Sequence, residues 1–258
     1  MICSLAMLHS AAPHTYLLLQ ARDPGDPMAD HEHACFVRAL GTQPDAVVSY
    51  DLLSGVPTLE EVNAYDVLLV GGSGEYSVLG KQPWVREFID FLADVVVAHK
   101  VPTFASCFGF QGLVLAGGGV VVKDEANAEV GTFRVHLTDA GLKDPLLQDC
   151  VPGFKAQLGH TDRADRLPSG MTHLAYTERS PYQAIRIDES QVVATQFHPE
   201  LDREANTLRY MRYLENYRKK GLSDTDDDPV LAAMDDSPKA SSLLRRFAEQ
   251  IGASESSM

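Results

Sequence analysis

The sequence predicts a three-layer α/β fold with a doubly wound, mainly parallel sheet to which an antiparallel part is added. In the first half of the chain, short apolar runs alternate with segments of helical spacing, which is typical of parallel strands covered on both faces. After Gly117-Gly118-Gly119 the apolar runs follow one another across short, turn-like separators. That change in pattern indicates antiparallel pairing in the second half.

The strands are predicted from these apolar runs, in order along the chain. The parallel part is expected to hold strands at residues 16–20, 46–50, 66–70 and 101–105. The second part is expected to hold strands at residues 120–123, 132–137, 155–158, 173–176, 182–187 and 192–196. The third strand ends abruptly in the glycine-rich segment 71–74.

Helices are predicted between the strands from their capping residues. Asp30 is expected to cap a helix that Gly41 ends. Thr58 is expected to begin a brief helix through a capping box. Pro83 suits the first turn of a third helix, which carries an apolar stripe at helical spacing to about residue 99.

Composition divides the chain into three parts. Residues 1–14 are expected to form a flexible N-terminal extension, since they lack the basic start of a signal peptide. Residues 15–220 form the main domain, which ends in a helix from residue 203. Residues 221–258 combine an acidic linker with a short C-terminal helix. That helix either packs on its own domain or docks a partner.

Charge and cysteine content limit the function classes. The 258 residues include 36 acidic and 22 basic side chains, a net charge of -14, which argues against nucleic acid or an anionic membrane as the main partner. No run approaches the roughly 20 apolar residues of a membrane span. The four cysteines have neither disulfide-framework nor zinc-site spacing. We therefore expect a cytoplasmic protein with no metal and no cofactor.

Cys107 is the candidate nucleophile. It directly follows the predicted strand 101–105, between the small residues Ala105 and Gly109, and a helical segment comes next. A nucleophile on such a turn adopts a strained backbone conformation, and the helix N-terminus favours the thiolate. On this segment alone, a buried structural cysteine is the more common interpretation.

His198 is the candidate general base, and Glu200 its orienting partner. A histidine can take the thiol proton and later protonate a leaving amine. Glu200 lies two residues further on, so both side chains leave the same face of an extended segment. Pro199 favours that extended backbone. In isolation, this segment is equally consistent with a polar strand end.

The glycine-rich segment after the third strand is the candidate oxyanion site. Glycines at the carboxyl end of a parallel strand lie where ligands bind in open α/β sheets. The backbone N–H of Gly72 or Ser73 is expected to act together with that of Phe108, the residue after the nucleophile. A plain glycine turn is the alternative, and no phosphate-loop motif is present.

The segments GGSGEYS, SCFGFQ followed by GG, and QFHPE together resemble the class I (triad) glutamine amidotransferases. The spacing is similar to that of the amidotransferase domain of GMP synthase, over roughly residues 15–220. The resemblance implies the flavodoxin-like fold of that family. It also implies that Cys107 attacks the glutamine carboxamide, forming a γ-glutamyl thioester that water cleaves after ammonia leaves. His198 and Glu200 would complete a Cys-His-Glu triad.

The same resemblance implies substrate contacts for Gln111 and for the segment Gly159, His160 and Thr161. One departure is Ala105, where the family usually has glycine. No synthase domain fits in the remaining residues, so ammonia is expected to pass to a separate synthase subunit. Two alternatives stay open: a γ-glutamyl peptidase acting on γ-glutamyl amides or peptides, and a non-catalytic sensing or scaffold relative.

Overall fold

The structure, a computed structural model, describes residues 14–219 and 228–255 of the chain. The strands are β1 (Tyr16–Gln20), β2 (Val47–Asp51), β3 (Val67–Val70), β4 (Thr103–Ser106), β5 (Val120–Lys123), β6 (Glu129–Leu137), β7 (Gly153–His160), β8 (Asp162–Arg166), β9 (Met171–Tyr176), β10 (Ala184–Ile187) and β11 (Val192–Thr195). The helices are α1 (Met28–Leu40), α2 (Leu59–Val62), α3 (Pro83–Phe91), α4 (Phe108–Ala116), α5 (Arg203–Arg212), α6 (Leu214–Lys219), α7 (Pro229–Ala232), α8 (Pro238–Ser241) and α9 (Leu243–Glu255).

One large sheet carries the architecture, with strand order β2-β1-β3-β4-β11-β10-β9-β6-β7. Neighbouring strands from β2 to β11 in this order are parallel, and those from β11 to β7 are antiparallel. A separate antiparallel pair joins β5 to β8. The predicted fold class, mainly parallel with an added antiparallel part, is confirmed.

Two apolar layers, one on each face of the sheet, form the core. Side chains of β1 alternate between them: Leu18 belongs to the layer that includes Phe104, and Leu19 belongs to the layer that includes Phe88 of α3. The parallel strands β1, β3, β4 and β11 are buried along their whole length. Because both faces are covered, the interiors of these strands are apolar on both faces rather than alternating, and polar residues occur only at strand ends.

The parallel register fixes where the functional segments meet. Ser106 at the end of β4 is paired with Thr195 at the end of β11. On the other side of β4, Ala105 is paired with Val70, the last residue of β3. The segments that follow β3, β4 and β11 therefore leave the sheet side by side, at its carboxyl edge.

Several predicted element boundaries needed correction. Helix α1 begins at Met28, so Asp30 lies in its first turn and does not cap it. The helix predicted over residues 203–220 is divided at Tyr213 into α5 and α6. Strand β8 was not predicted, since its sequence DRADR is almost entirely polar. The capping box of α2, between Thr58 and Glu61, is confirmed.

The C-terminal helix α9 belongs to the same core as the sheet. Residues 1–13 of the predicted extension and residues 220–227 of the predicted linker lie outside the described residues. Beyond them, Leu243, Leu244 and Phe247 of α9 are buried in the layer that holds Phe104 of β4. The rings of Phe247 and Phe104 meet edge to face, with centroids 5.3 Å apart. In residues 14–219 and 228–255, no helix is long and apolar enough to span a bilayer.

We predict that Phe247→Ala lowers the free energy of unfolding by about 3–4 kcal/mol, because it empties a ring-sized volume in the core. The measurement is urea unfolding followed by far-UV circular dichroism. The control is Leu142→Ala, at a side chain that is 44% exposed, which should change stability by less than about 0.5 kcal/mol. Equal effects of the two variants would contradict the placement of α9.

Candidate active site

Cys107 occupies a strained turn between β4 and α4. Its backbone angles are φ 49° and ψ −97°, in the left-handed half of conformational space that residues with a side chain rarely adopt. The turn is held by the Cys107 N–H, which donates to the carbonyl of Thr195 at 2.8 Å. A Cβ on Gly109 would lie 2.7 Å from Cγ1 of Val70, so only glycine allows α4 to approach β3 this closely. The sulfur therefore sits at the N-terminus of α4, as predicted.

His198 and Glu200 form a buried pair behind the thiol. Nδ1 of His198 lies 2.6 Å from Oε1 of Glu200. The His198 N–H donates to the carbonyl of Gln157 in β7, which fixes the backbone of this segment. Sγ of Cys107 also lies 3.6 Å from Nε2 of Gln196, in the same segment as His198. The sequence predicts that the side chains of His198 and Glu200 leave the same face of this segment, and their direct contact agrees with that prediction.

The charges of this cluster hold the His198 side chain in its cationic form. Burial alone lowers the pKa of His198, but the nearby Glu200 and Cys107 raise it, to about 9. Burial raises the pKa of Glu200, yet His198 and Arg209 outweigh it, so that this pKa lies below its ordinary value. At neutral pH the pair is therefore an imidazolium and a carboxylate.

The glycine turn after β3 lies between two side chains. A Cβ on Gly72 would stand 2.6 Å from Cε1 of His198, so this contact requires glycine. The N–H of Gly72 donates to Oε1 of Glu32 at 3.1 Å. The N–H groups of Ser73 and Phe108 have no acceptor within the described part of the chain. Of the predicted oxyanion donors, Ser73 and Phe108 are therefore the available pair.

A cavity of about 410 Å³ opens over Cys107. Its walls come from the glycine turn, the start of α4, the turn between β7 and β8, and α6. The predicted site residues that line it are Ser73, Cys107, Phe108, Gln111, Gly159, His160 and Thr161. The structure thus brings the nucleophile, the available N–H donors and the predicted substrate segment to one cavity.

Two of the predicted substrate-binding side chains are engaged by the protein itself. Nε2 of Gln111 donates to the carbonyl of Asp162 at 2.7 Å and to Oε1 of Gln196 at 3.2 Å. The ring nitrogens of His160 contact the same carbonyl at 3.0 Å and Oε2 of Glu129 at 3.1 Å. Gln111 and His160 thus stabilise the β7–β8 turn through the Asp162 carbonyl. Gly159 and Thr161 form the rest of the cavity wall on this side.

Sequence reasoning missed Glu32 and Arg209, two buried charged residues next to the triad. Glu32 lies on the same face of α1 as the buried Phe36, four residues on, and Arg209 on the same face of α5 as the buried Ala205. Both charges thus stand on apolar helix faces. An unpaired charge is costly there, so this was the available signal of a buried ionic network.

Sequence reasoning also missed Tyr217 of α6, which lines the cavity. Burial, followed by the nearby charge of Cys107, raises the pKa of Tyr217. Its hydroxyl lies 3.4 Å from the position of a Cβ on Gly159. Tyr217 lies in the predicted helix 203–220, just before its basic end, and nothing in that pattern indicated a position at the cavity.

We predict a pH-dependent charge beside Cys107. Iodoacetate is an anion and iodoacetamide is neutral, and both react with the same thiolate. The ratio of their labelling rates is therefore independent of the thiolate fraction and reports the positive charge next to the sulfur. Because the pKa of His198 is raised to about 9, the ratio should be high at neutral pH and fall through about pH 9. Labelling of the Cys107 peptide is measured by mass spectrometry. His198→Gln should remove the step, whereas a flat ratio in the unaltered protein would exclude the cationic His198.

Comparisons with known proteins identify the family of the chain. Residues 37–214 match the family described as "Glutamine amidotransferase class-I". The chain is 32% identical over 144 residues to one subunit of a glutamine-hydrolysing GMP synthase from Sulfolobus acidocaldarius, covering 56% of this chain and 72% of the relative. It is 30% identical over 162 residues to a glutamine-hydrolysing GMP synthase from Thermosipho africanus, covering 63% of this chain but only 28% of that relative.

A solved structure, a glutamine amidotransferase from Thermotoga maritima, superimposes with a TM-score of 0.71. The match covers 94% of this chain and 99% of the other, at 18% identity, and so bears on the fold alone. The family match spans strands β2 to β11, the glycine turn, Cys107 and His198 together. The chain belongs to the class I glutamine amidotransferases.

Proposed function

We propose that the protein hydrolyses the side-chain amide of glutamine to glutamate and ammonia through a thioester on Cys107. The observation that carries the proposal is a cysteine in a left-handed turn at a helix N-terminus, with a buried His198–Glu200 pair behind it. Activated nucleophiles in proteins have this combination of strain, base and orienting carboxylate.

The proposed reaction has two stages. His198 holds the proton of the Cys107 thiol, so that Sγ attacks the carboxamide carbon as a thiolate, and the oxyanion accepts hydrogen bonds from the N–H groups of Ser73 and Phe108. His198 gives its proton to the departing nitrogen, which leaves as ammonia. His198 then takes a proton from water as the water attacks the γ-glutamyl thioester, and glutamate is released. Glu200 keeps the imidazole oriented throughout.

A separate synthase subunit is the proposed acceptor of the ammonia. The Sulfolobus relative is named as one subunit of a glutamine-hydrolysing GMP synthase. A subunit of that kind needs a partner that uses the nitrogen. By this analogy the ammonia freed at Cys107 passes to a separate partner subunit.

The second candidate function, a γ-glutamyl peptidase, keeps the same thiol chemistry. The cavity volume of about 410 Å³ favours it, because pockets of 300–1,000 Å³ commonly hold ligands larger than a free amino acid. In that case, the leaving group would be the amine of a second residue rather than ammonia. Cys107, His198 and Glu200 would have unchanged roles.

We predict that the purified protein releases ammonia from glutamine, and that Cys107→Ser lowers this rate at least about a thousandfold. Cys150→Ala, at a buried thiol in the core, should retain activity. Glutamate release from free glutamine and from γ-glutamyl dipeptides is measured side by side. Dipeptide cleavage more than about tenfold faster than glutamine hydrolysis would favour the peptidase.

Covalent labelling separates an idle amidotransferase from a non-catalytic relative. A glutamine-mimicking diazoketone should modify Cys107 in the unaltered protein, even when turnover is slow without a partner. His198→Gln should slow that modification strongly. If Cys107 stayed unmodified, or if labelling were independent of His198, neither catalytic function would stand.

A further inference from the structure

Glu32 of α1 is a fully buried carboxylate that faces the glycine turn. It accepts hydrogen bonds from the N–H of Gly72 at 3.1 Å, from Nε2 of Gln20 at 3.1 Å, and from Nε and Nη2 of Arg22 at 3.2 and 2.9 Å. A Cβ on Gly71 would lie 2.7 Å from Oε1 of Glu32. The turn and the carboxylate are therefore packed directly against each other.

Arg209 of α5 links this carboxylate to the candidate triad. Its Nη2 lies 3.7 Å from Oε1 of Glu32. Its Nη1 lies 3.4 Å from Oε1 of Glu200 and 3.4 Å from Nδ1 of His198. Within the described residues, Nε and Nη2 of Arg209 have no hydrogen-bond acceptor. The guanidinium is thus held mainly by charge, between two carboxylates.

We infer that Glu32 is a positioning residue for the chemistry at Cys107. Its carboxylate anchors the glycine turn through the Gly72 N–H. Its charge also balances that of Arg209, which leaves the carboxylate of Glu200 to orient the His198 ring and stabilise its positive charge. The inference rests on the proposed function for its kinetic consequence, but its electrostatic consequence at His198 needs no substrate.

The geometric part of the inference follows from the Gly72 peptide. Gly72 is confined between Glu32 on one side and the His198 ring on the other. Because the Gly72 N–H is committed to Glu32, the next N–H along the turn, that of Ser73, is left for the oxyanion. Loss of the Glu32 carboxylate would free the turn to move, and misplacement of an oxyanion donor by about 1 Å can cost about a hundredfold in rate.

The electrostatic part follows from the position of Arg209, 3.4 Å from His198 Nδ1. Without the charge of Glu32, the guanidinium would be balanced by Glu200 alone, and it would repel the imidazolium more strongly. The other titratable and charged groups around this cluster are Arg22, Asp26, His31, Cys35, Arg38, Cys107, Tyr213 and Tyr217. Among them, Arg22 also loses its carboxylate partner when Glu32 is changed.

The test uses the full chain carrying Glu32→Gln, Arg209→Gln, the double substitution, or Glu32→Asp. The control is Asp144→Asn, which removes a partly buried ion pair with Arg186, whose two contacts are 2.7 and 3.0 Å. The first readout is the pH dependence of the ratio of iodoacetate to iodoacetamide labelling at Cys107. The second is kcat and KM for glutamine.

Glu32→Gln should move the step in the labelling ratio from about pH 9 to lower pH by about 0.5–1 unit, and Arg209→Gln should move it upward. The double substitution should return the step to within about 0.3 unit of its original position, because it removes both charges together. Glu32→Gln should also lower kcat about tenfold to a hundredfold, with KM changed less than about threefold. Glu32→Asp keeps the charge but shortens the reach, so the step should stay while kcat falls.

The inference would be overturned if Glu32→Gln left the labelling step in place, or if Asp144→Asn moved it equally. It would also fail if the double substitution did not restore the step. Should Glu32→Gln not fold, the electrostatic test is whether the double substitution cancels the upward shift of Arg209→Gln, and the geometric test is the fall of kcat in Glu32→Asp. If the step behaves as expected while the unaltered protein neither hydrolyses glutamine nor reacts with the diazoketone at Cys107, then the proposed function is wrong and the role of Glu32 at His198 stands.

Discussion

The left-handed backbone at Cys107 is the constraint on which the rest of the site depends. A conformation of this kind costs about 1–3 kcal/mol and persists only where the surroundings impose it. Here β4 is clamped between β3 and β11, and the Cys107 N–H is drawn to the Thr195 carbonyl at the end of β11. The same register that strains the cysteine brings the segment of His198 alongside it. The strained backbone of Cys107 and its position beside the His198 segment thus both result from the parallel pairing of β4 with β11.

Burial of the His198–Glu200 pair creates an electrostatic requirement that the neighbouring helices meet. A buried carboxylate such as Glu200 is stable only with compensating charge, and it has His198 on one side and Arg209 on the other. Arg209 in turn needs Glu32, and Glu32 needs Arg22. The ionic network therefore extends from the segment beside Cys107 to the first helix, and the glycine turn is anchored within it. Helices α1 and α5 support the candidate site although neither carries a predicted site residue.

Much of the fold followed from the sequence because the parallel strands are buried on both faces. Their continuous apolar runs placed β1, β3, β4 and β11 within two residues. The motifs also placed Cys107, His198 and the glycine turn at one edge of the sheet, since parallel strands end together. Strand β8 and the break at Tyr213 were not predictable in this way, because neither has an apolar pattern of its own and tertiary contacts decide both.

The buried ionic network of Glu32, Arg209 and Glu200 could not be predicted from local sequence patterns for a related reason. Glu32 and Gly72 are 40 residues apart, and the contact between them depends on how α1 packs across the edge of the sheet. The sequence left Gly72 and Ser73 equivalent as oxyanion donors, and only this contact separates them. A pattern can place residues on an element, but the partner of a buried charge is chosen by packing.

The alanine at position 105 illustrates how the structure resolves a departure from the family pattern. A methyl group there would disturb the turn between β4 and α4 if residue 105 shared the left-handed backbone of Cys107. Instead Ala105 lies inside β4, paired with Val70 and Ala194 in regular register. Its side chain is buried in the apolar layer that also holds Phe88 and Phe108. The close approach that demands glycine occurs two residues after the cysteine, where Gly109 meets Val70. Alanine at position 105 therefore adds packing to the core without altering the turn that presents the sulfur.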